Sequence, residues 1–269
     1  MNGSNGAQLL FVLGVAHCGS TLLGRLLNMH PRVVCVGEMT RIHRSLRENR
    51  PCSCGQPLAG CRFWSRLLPE IESMSAFDFR RFSPRLYDRI SEISGKDVLV
   101  DLSKTRVYRM SRWWRDRGQR YIFLVRDPRG VLASVVRAGK DLDKALRKHK
   151  KWTSRLQRFV GKKGERALRV YYEDLADKPE AELRRICDFI GIEFVPEMLH
   201  PAEKTHHFIA SSVSDYLKGS NEIRLDERWR TQLSYEQINR IERMMKRQKL
   251  LRDRYAMIER RQLRQEDPP

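Results

Sequence analysis

The stretch Leu9-Leu10-Phe11-Val12-Leu13-Gly14-Val15-Ala16-His17-Cys18-Gly19-Ser20-Thr21 decides how the rest of the chain is read. A compact apolar run stops at Gly14 and gives way to a turn of small residues. Leu22, Leu23, Leu26 and Leu27 then recur at helical spacing. The pattern is strand, loop, helix. Small residues let backbone amides face inward, and a helix N-terminus adds positive potential, so the loop is suited to cradle a phosphate. Gly14 and Gly19 stand at the glycine positions of a Walker A loop, but Ser20 occupies the place of its Lys. That Lys reaches the β- and γ-phosphates of a nucleoside triphosphate, so its absence argues against an ATPase or kinase. A tight structural turn is the other reading of the loop alone.

Outward from this loop, Val33 to Val36, Val98 to Asp101, Tyr121 to Val125 and Leu168 to Tyr172 read as buried strands. Helical patterns fall between them: parts of 63–94, the segment after Asp101 to about Arg117, a basic stretch from Pro128 to about Val160, and Pro179 to Ile190 closed by Gly191. Residues 43–62 read as irregular. Alternating strands and helices imply a parallel sheet covered on both faces, with ligands beyond the carboxyl ends of the strands. The expected fold is α/β, a P-loop-like three-layer α/β/α arrangement in one domain. Its core spans about 9–233, and residues 235–264 form a long basic C-terminal helix.

The chain has 269 residues, 53 Lys plus Arg against 33 Asp plus Glu, and a net charge of +20. A hydrophobic content of 41% is enough for a proper core and excludes wholesale disorder. No apolar run approaches the roughly 20 residues that span a bilayer. Leu9 to Val15 is short and lacks a preceding basic flank, so it is a poor signal peptide and a better buried strand. Six cysteines are no disulfide scaffold. The expectation is a soluble, cytoplasmic protein. Its charge favours an anionic partner, whether nucleic acid, membrane lipid, or an anionic cofactor or substrate, or else forms a solvated basic face.

Arg126 closes the strongest strand, and Ser134 follows eight residues later on the next helix. Such a pair can grip a second phosphate. Arg126-Asp127 reads equally as a helix-capping ion pair.

With these motifs in place the sequence resembles the sulfotransferases that use 3′-phosphoadenosine 5′-phosphosulfate (PAPS). The first loop is similar to their 5′-phosphosulfate loop, and Leu124-Val125-Arg126-Asp127-Pro128-Arg129-Gly130-Val131-Leu132-Ala133-Ser134 is similar to their 3′-phosphate motif. Val170-Tyr171-Tyr172-Glu173-Asp174-Leu175, followed by Pro179 and by Leu183-Arg184-Arg185-Ile186-Cys187, resembles a further block, as does Asp226-Glu227-Arg228-Trp229-Arg230. Four ordered blocks over about residues 9–233 make the resemblance specific. It implies PAPS as co-substrate and no metal in the reaction. His17, Cys18, Gly19, Ser20, Thr21 and Leu22 would hold the 5′-phosphosulfate, through backbone amides and the Ser20 and Thr21 hydroxyls. Arg126 and Ser134 would hold the 3′-phosphate, and Tyr172 would lie near the adenine. Lys218 and Gly219 would belong to the late loop that closes over the cofactor.

Gly37-Glu38-Met39-Thr40-Arg41 resembles a segment of tyrosylprotein sulfotransferases in which the Glu is the base, and Asp101-Leu102-Ser103-Lys104-Thr105 resembles the segment that supplies a catalytic Lys. The resemblance therefore implies Glu38 as general base and Lys104 as stabiliser of the leaving group. Without it, Glu38 reads as a loop carboxylate paired with Arg41, and Lys104 as a solvated residue at a helix start. Three positions depart from the family. His17 stands where many members carry Lys or Arg, so that charge would titrate near neutral pH. Arg106 stands where cytosolic members carry a catalytic His, which favours Glu38 as base. Ser212 and Asp215 align where many members have Asn and Arg.

The function expected is therefore transfer of the sulfuryl group from PAPS to a hydroxyl or amine acceptor, with release of adenosine 3′,5′-bisphosphate. The acceptor would be a lipid, glycan, phenol or tyrosine peptide. The alternatives are a nucleotide-kinase-like enzyme and a non-enzymatic module binding nucleic acid or an anionic surface. Cys52-x-Cys54-x6-Cys61 is one ligand short of a closed zinc site, which His43 could in principle complete. Buried thiols or a disulfide are preferred, with no metal assigned. Trp113-Trp114 reads as core rather than as a sugar-stacking platform. His206-His207 reads equally as acceptor-cleft lining and as plain loop. Residues 144–169 hold 11 basic residues and one acidic, and residues 240–264 hold ten basic and three acidic. These two stretches carry most of the +20 and lie outside the motifs. They suit a solvated face, an anionic acceptor or peripheral contact with a membrane surface, without specific nucleic-acid binding. For the tail, docking on the body is favoured.

Overall fold

A computed structural model describes residues 7–110, 118–202, 204–210 and 223–255. Five strands, β1 (Gln8–Leu13), β2 (Val33–Gly37), β3 (Val98–Asp101), β4 (Arg120–Val125) and β5 (Ala167–Tyr171), form one sheet in the order β2-β3-β1-β4-β5. Every neighbouring pair is parallel. Both faces of β1 are apolar because both are covered. Leu10 and Val12 belong to one core with α1 (Ser20–Asn28), α8 (Tyr172–Asp177) and α9 (Pro179–Ile190). Leu9, Phe11 and Leu13 belong to the other. That core takes in residues of α2 (Ile42–Arg47), α3 (Leu68–Glu72), α4 (Ala76–Ser94), α5 (Thr105–Met110), α6 (Pro128–Arg137) and α7 (Leu142–Gly161). This is the three-layer α/β/α architecture that the sequence implies. Among the described residues no helix is long and apolar enough to cross a membrane.

The punctuation of the chain is local chemistry. Asp127 caps α6 by accepting from the Arg129 amide at 2.7 Å, with Pro128 at the first helical position. Asp141 caps α7 by accepting from the Lys144 amide at 2.7 Å. The basic stretch expected to run unbroken from Pro128 to Val160 is therefore two helices, parted at Gly139 (φ 66°). Likewise β5 ends at Tyr171, and Tyr172 opens α8.

The C-terminal segment is also broken. Two short helices, α10 (Trp229–Gln232) and α11 (Tyr235–Lys246), precede helical residues 249–255; residues 256–264 of the expected long helix lie outside the described residues. Ile241, Met244, Met245, Leu250, Leu251 and Tyr255 all enter the sheet-face core, so this segment docks on the body. Polar contacts lock it there. Arg129 donates to Glu242 at 3.2 Å, and the Tyr255 hydroxyl donates to Glu173 at 3.1 Å. Burial pushes the Glu173 carboxyl up to about 7.

At the end of β3, Asp101 is fully buried. Its carboxyl accepts from the Tyr87 hydroxyl at 2.5 Å and from the Ser103 amide at 2.6 Å. Burial raises this carboxyl from 3.8 to about 6, although both hydrogen bonds oppose the shift. The folded state therefore holds the proton more tightly than the unfolded chain. The stability Asp101 contributes is complete below about pH 4 and is lost as pH rises through about 6, a change of roughly 3 kcal/mol at most. Thermal melts between pH 4 and 7.5 should show this component in the wild type. Subtracting the Asp101→Asn profile should isolate a loss of relative stability with rising pH; parallel profiles would refute it.

Candidate active site

Each strand delivers a candidate residue just past its carboxyl end. The loop 14–19 follows β1, Glu38 follows β2, Lys104 lies three residues past β3, Arg126 follows β4 and Tyr172 follows β5. This is the edge at which open parallel sheets bind ligands.

The loop after β1 turns through two left-handed residues, His17 (φ 64°) and Gly19 (φ 90°). Such alternation directs successive amides into an anion-binding concavity. Gly19 opens α1, whose first turn carries neither an acidic residue nor a capping side chain. Its amides and dipole suit an anion. The Cys18 side chain is wholly buried, so only its backbone can serve the cradle. Ser20 is buried at the helix start, whereas Thr21 and Leu22 are half-buried. Burial, then Lys104, Lys140, Arg126 and Arg137 push His17 below its ordinary value. The titration expected near neutral pH is thus displaced downward, toward the neutral imidazole.

Arg126 is held from four sides. It donates to the His17 carbonyl at 3.1 Å and to the Asp226 carbonyl at 3.1 Å, pairs with the Asp226 carboxylate at 3.1 Å, and lies 4.3 Å over the Tyr172 ring. The capping role belongs to Asp127, which pairs with Arg129 rather than Arg126. The Tyr172 hydroxyl in turn accepts from the Asp226 amide at 3.2 Å. Ser134 bonds back to the Gly130 carbonyl at 3.3 Å. Asp226 is a contact that motif matching did not assign; the only signal for it was its place in the fourth sequence block. Lys218, Gly219, Ser212, Asp215, Trp113 and Trp114 lie outside the described residues.

Glu38 and Lys104 meet. Lys104 Nζ donates to Glu38 Oε1 at 2.5 Å, Arg106 Nη1 lies 3.5 Å from Glu38 Oε2, and Arg41 forms a further ion pair with Glu38. Burial would raise the Glu38 carboxyl, but Lys104, Arg41 and Arg106 together outweigh it and hold it below its ordinary value. The expected pairing of Glu38 with Arg41 therefore occurs together with one to Lys104 that the sequence did not suggest. The backbone fixes this geometry. Lys104 adopts a left-handed conformation (φ 56°) with its amide bound to the Val12 carbonyl at 3.1 Å. Ser103 Oγ accepts from the Thr40 amide at 3.1 Å, and the Glu38 amide donates to the Ile209 carbonyl at 2.8 Å.

These residues open into a cavity of about 780 Å³. His17, Glu38 and Lys104 line one side, and Val131, Val135 and Trp152 form an apolar wall. Among the described residues, Arg41, Lys104, Arg106, Lys140, Lys144 and Lys148 face it against two acids, Glu38 and Asp141. Lys144 and Lys148 come from α7, so part of the charge that the motifs left unplaced lies on this cleft. His149 in the same wall is neutral, since burial lowers it to about 4. His206 and His207 do not line the cleft. His206 is buried between Asn28 (2.7 Å) and the Pro201 carbonyl (2.7 Å), and His207 faces Cys61 at 3.2 Å. The histidine beside the thiols is thus His207 and not His43, and all six cysteines are free, so no disulfide joins them.

A parallel sheet with an anion cradle after β1 and a carboxylate–lysine pair at the adjoining strand ends defines a P-loop-like group transferase. The model of the sulfotransferase family matches residues 118–196. The putative protein-tyrosine sulfotransferase of Caenorhabditis briggsae is 27% identical over 214 residues, 74% of this chain and 71% of that protein. Protein-tyrosine sulfotransferase A of Caenorhabditis elegans is 29% identical over 211 residues, 72% of this chain and 52% of that protein. The sulfotransferase domain from the curacin biosynthetic pathway superposes with a TM-score of 0.60 at 23% identity, covering 87% of this chain and 96% of that one. These likenesses support a PAPS-dependent sulfotransferase, an enzyme with PAPS as its co-substrate. The family requires no metal for this transfer. The cradle suits the anionic end of such a cofactor, because two left-handed residues and the uncapped start of α1 turn backbone amides inward.

A Cβ at Gly19 would lie 2.3 Å from the Tyr172 ring. Gly95 also has a positive φ (64°) but nothing within 4 Å of such an atom. Gly95→Ala should therefore cost only the left-handed backbone penalty, about 1–2 kcal/mol. Gly19→Ala should cost clearly more in denaturant unfolding and should abolish the thermal shift caused by adenosine 3′,5′-bisphosphate. Equal costs would show that Tyr172 does not pack on Gly19.

Proposed function

We propose that this enzyme sulfates the phenolic hydroxyl of tyrosine in acidic polypeptide segments, with Glu38 as general base and Lys104 as stabiliser of the leaving group. The observation that carries the proposal is the Glu38–Lys104 pair inside a cleft with six cations and one apolar wall. The wall of Val131, Val135 and Trp152 suits an aromatic ring, and the surrounding cations suit carboxylates on either side of it. The names of the curated relatives support the same acceptor.

PAPS supplies the sulfuryl group, and adenosine 3′,5′-bisphosphate departs. The protein's part is positioning and charge stabilisation in an in-line displacement, as in phosphoryl transfer. The amides at the start of α1, with the Ser20 and Thr21 hydroxyls, hold the 5′ end. Arg126 and Ser134 hold the 3′-phosphate, and Tyr172 lies by the adenine. Glu38 is ionised at neutral pH, so a free lone pair on its carboxylate can take the acceptor proton. The Lys104 ammonium then neutralises charge gathering on the bridging oxygen. His17 becomes a cation beside the 5′-phosphate.

Radiolabelled PAPS should be offered with acidic tyrosine peptides, neutral tyrosine peptides, simple phenols, glycans and lipids. Label on the acidic peptides is expected; label only on a lipid or glycan would overturn the acceptor. Glu38→Gln should reduce transfer by about 10²–10⁴-fold while the thermal shift caused by adenosine 3′,5′-bisphosphate persists. Full activity would remove Glu38 from the chemistry. Lys144→Glu combined with Lys148→Glu should raise KM for an acidic peptide roughly tenfold. The same change should leave kcat, and turnover of a neutral phenol, unaltered; an unchanged KM would place the peptide elsewhere.

A further inference from the structure

The loop between α2 and α3 carries Cys52, Cys54 and Cys61. Their three sulfur atoms and one ring nitrogen of His207 all lie within 4.8 Å of one another. His207 Nδ1 is 3.2 Å from Cys61 Sγ and 3.9 Å from Cys52 Sγ. A tetrahedral zinc with Zn–S of about 2.3 Å and Zn–N of about 2.0 Å needs ligand atoms about 3.5–3.8 Å apart. The set needs only tenths of an ångström of adjustment, up to about 1 Å at its widest pair. We propose that Cys52, Cys54, Cys61 and His207 bind one structural Zn²⁺.

Three features of the surroundings favour a built site over a chance meeting of thiols. First, the ring of His207 is oriented: Phe63 stacks on it with centroids 5.7 Å apart and planes 14° apart, and Trp64 Nε1 donates to the His207 carbonyl at 2.8 Å. Second, the two chain segments are already registered. Ser53 N donates to the Phe208 carbonyl at 3.1 Å, Ser53 Oγ donates to the His206 carbonyl at 2.7 Å and accepts from the Phe208 amide at 2.8 Å. Third, the ligand set is closed. Four protein atoms complete a structural tetrahedron and leave no position for substrate, and a Cys₃His set selects zinc over oxygen-loving cations. On binding, each of the three thiols releases its proton and the imidazole binds neutral, leaving a net charge of −1.

The metal's effect would reach the active site through one peptide. Residues 206–209 lead from His207 to Ile209, whose carbonyl accepts from the Glu38 amide and whose amide donates to Val36. At the crossing, Gly37 (φ 75°) is so close that a Cβ there would lie 2.5 Å from Ile209 backbone atoms. A zinc pinning His207 to the 52–61 loop would therefore hold the strand extension that carries Glu38. It acts on the architecture and takes no part in sulfuryl transfer.

The test uses the full chain, purified without chelators under reducing conditions, with metals measured by mass spectrometry. About one zinc per chain is expected, lost with His207→Ala and retained with His207→Cys. Replacing zinc by cobalt should give the visible bands of a tetrahedral ion together with thiolate-to-cobalt charge transfer. Chelation should expose three thiols to a thiol reagent and lower Tm, and added zinc should reverse both. Three results would each overturn the proposal: less than about one-tenth of a zinc per chain even after reconstitution, a disulfide among these cysteines in the native protein, or a bound iron–sulfur chromophore. None of these readouts depends on the acceptor or on sulfotransferase activity.

Discussion

The guanidinium of Arg126 lies over the ring of Tyr172, and that ring lies against the bare Cα of Gly19. This sandwich joins the ends of β4 and β5 to the loop after β1. A hydrogen bond from Arg126 to the His17 carbonyl closes it from the side. A cation over an aromatic face contributes about 0.5–2 kcal/mol, more when desolvated, and here the stack is buried. Its larger consequence is geometric. The cradle after β1 cannot relax without moving a residue rooted in each of two neighbouring strands, so its amides keep their direction whether or not an anion is present. Preorganised dipoles of this kind need no rearrangement when charge develops.

The other half of the site is fixed by a different device. Between β2 and β3 the polar chain Tyr87–Asp101–Ser103–Thr40 runs beneath the active loops. It holds Lys104 in a left-handed conformation that a non-glycine residue rarely adopts. Glu38 and Lys104 project from this support into one ion pair. The carboxylate is thereby ionised and oriented, and the lysine is ready for a second anion. Two separately braced halves, one for phosphate and one for proton transfer, converge on a shared cleft.

Much of this was legible in the residues. Short runs of mostly apolar residues, the last interrupted by Arg169, located all five strands. The block after Tyr121 pointed to Arg126, and the resemblance of two short segments to tyrosylprotein sulfotransferases pointed to Glu38 and Lys104. What escaped depended on facing. The charge of 144–169 could be counted but not aimed. Only the helical phase set by His149, Trp152 and Leu156 turns Lys144 and Lys148 to the cleft. His207 lies 146 residues from Cys61, so no local spacing could join them, whereas His43 was merely near in sequence. The helix breaks at Gly139 and after Lys246 fall in stretches rich in helix-forming residues, where capping and docking outweigh propensity.

One contact changes the expected character of cofactor capture. The Arg126 guanidinium already carries a carboxylate, that of Asp226, which Arg126 and Arg228 together hold well below the usual carboxylate range. A phosphate arriving there would not meet a bare cation; it would compete with an internal anion. Binding is then an ion exchange within the protein, whose gain is the difference between two anions on the same guanidinium. Because one bound anion is traded for another, the affinity at this position should depend less on ionic strength than a net charge of +20 would suggest.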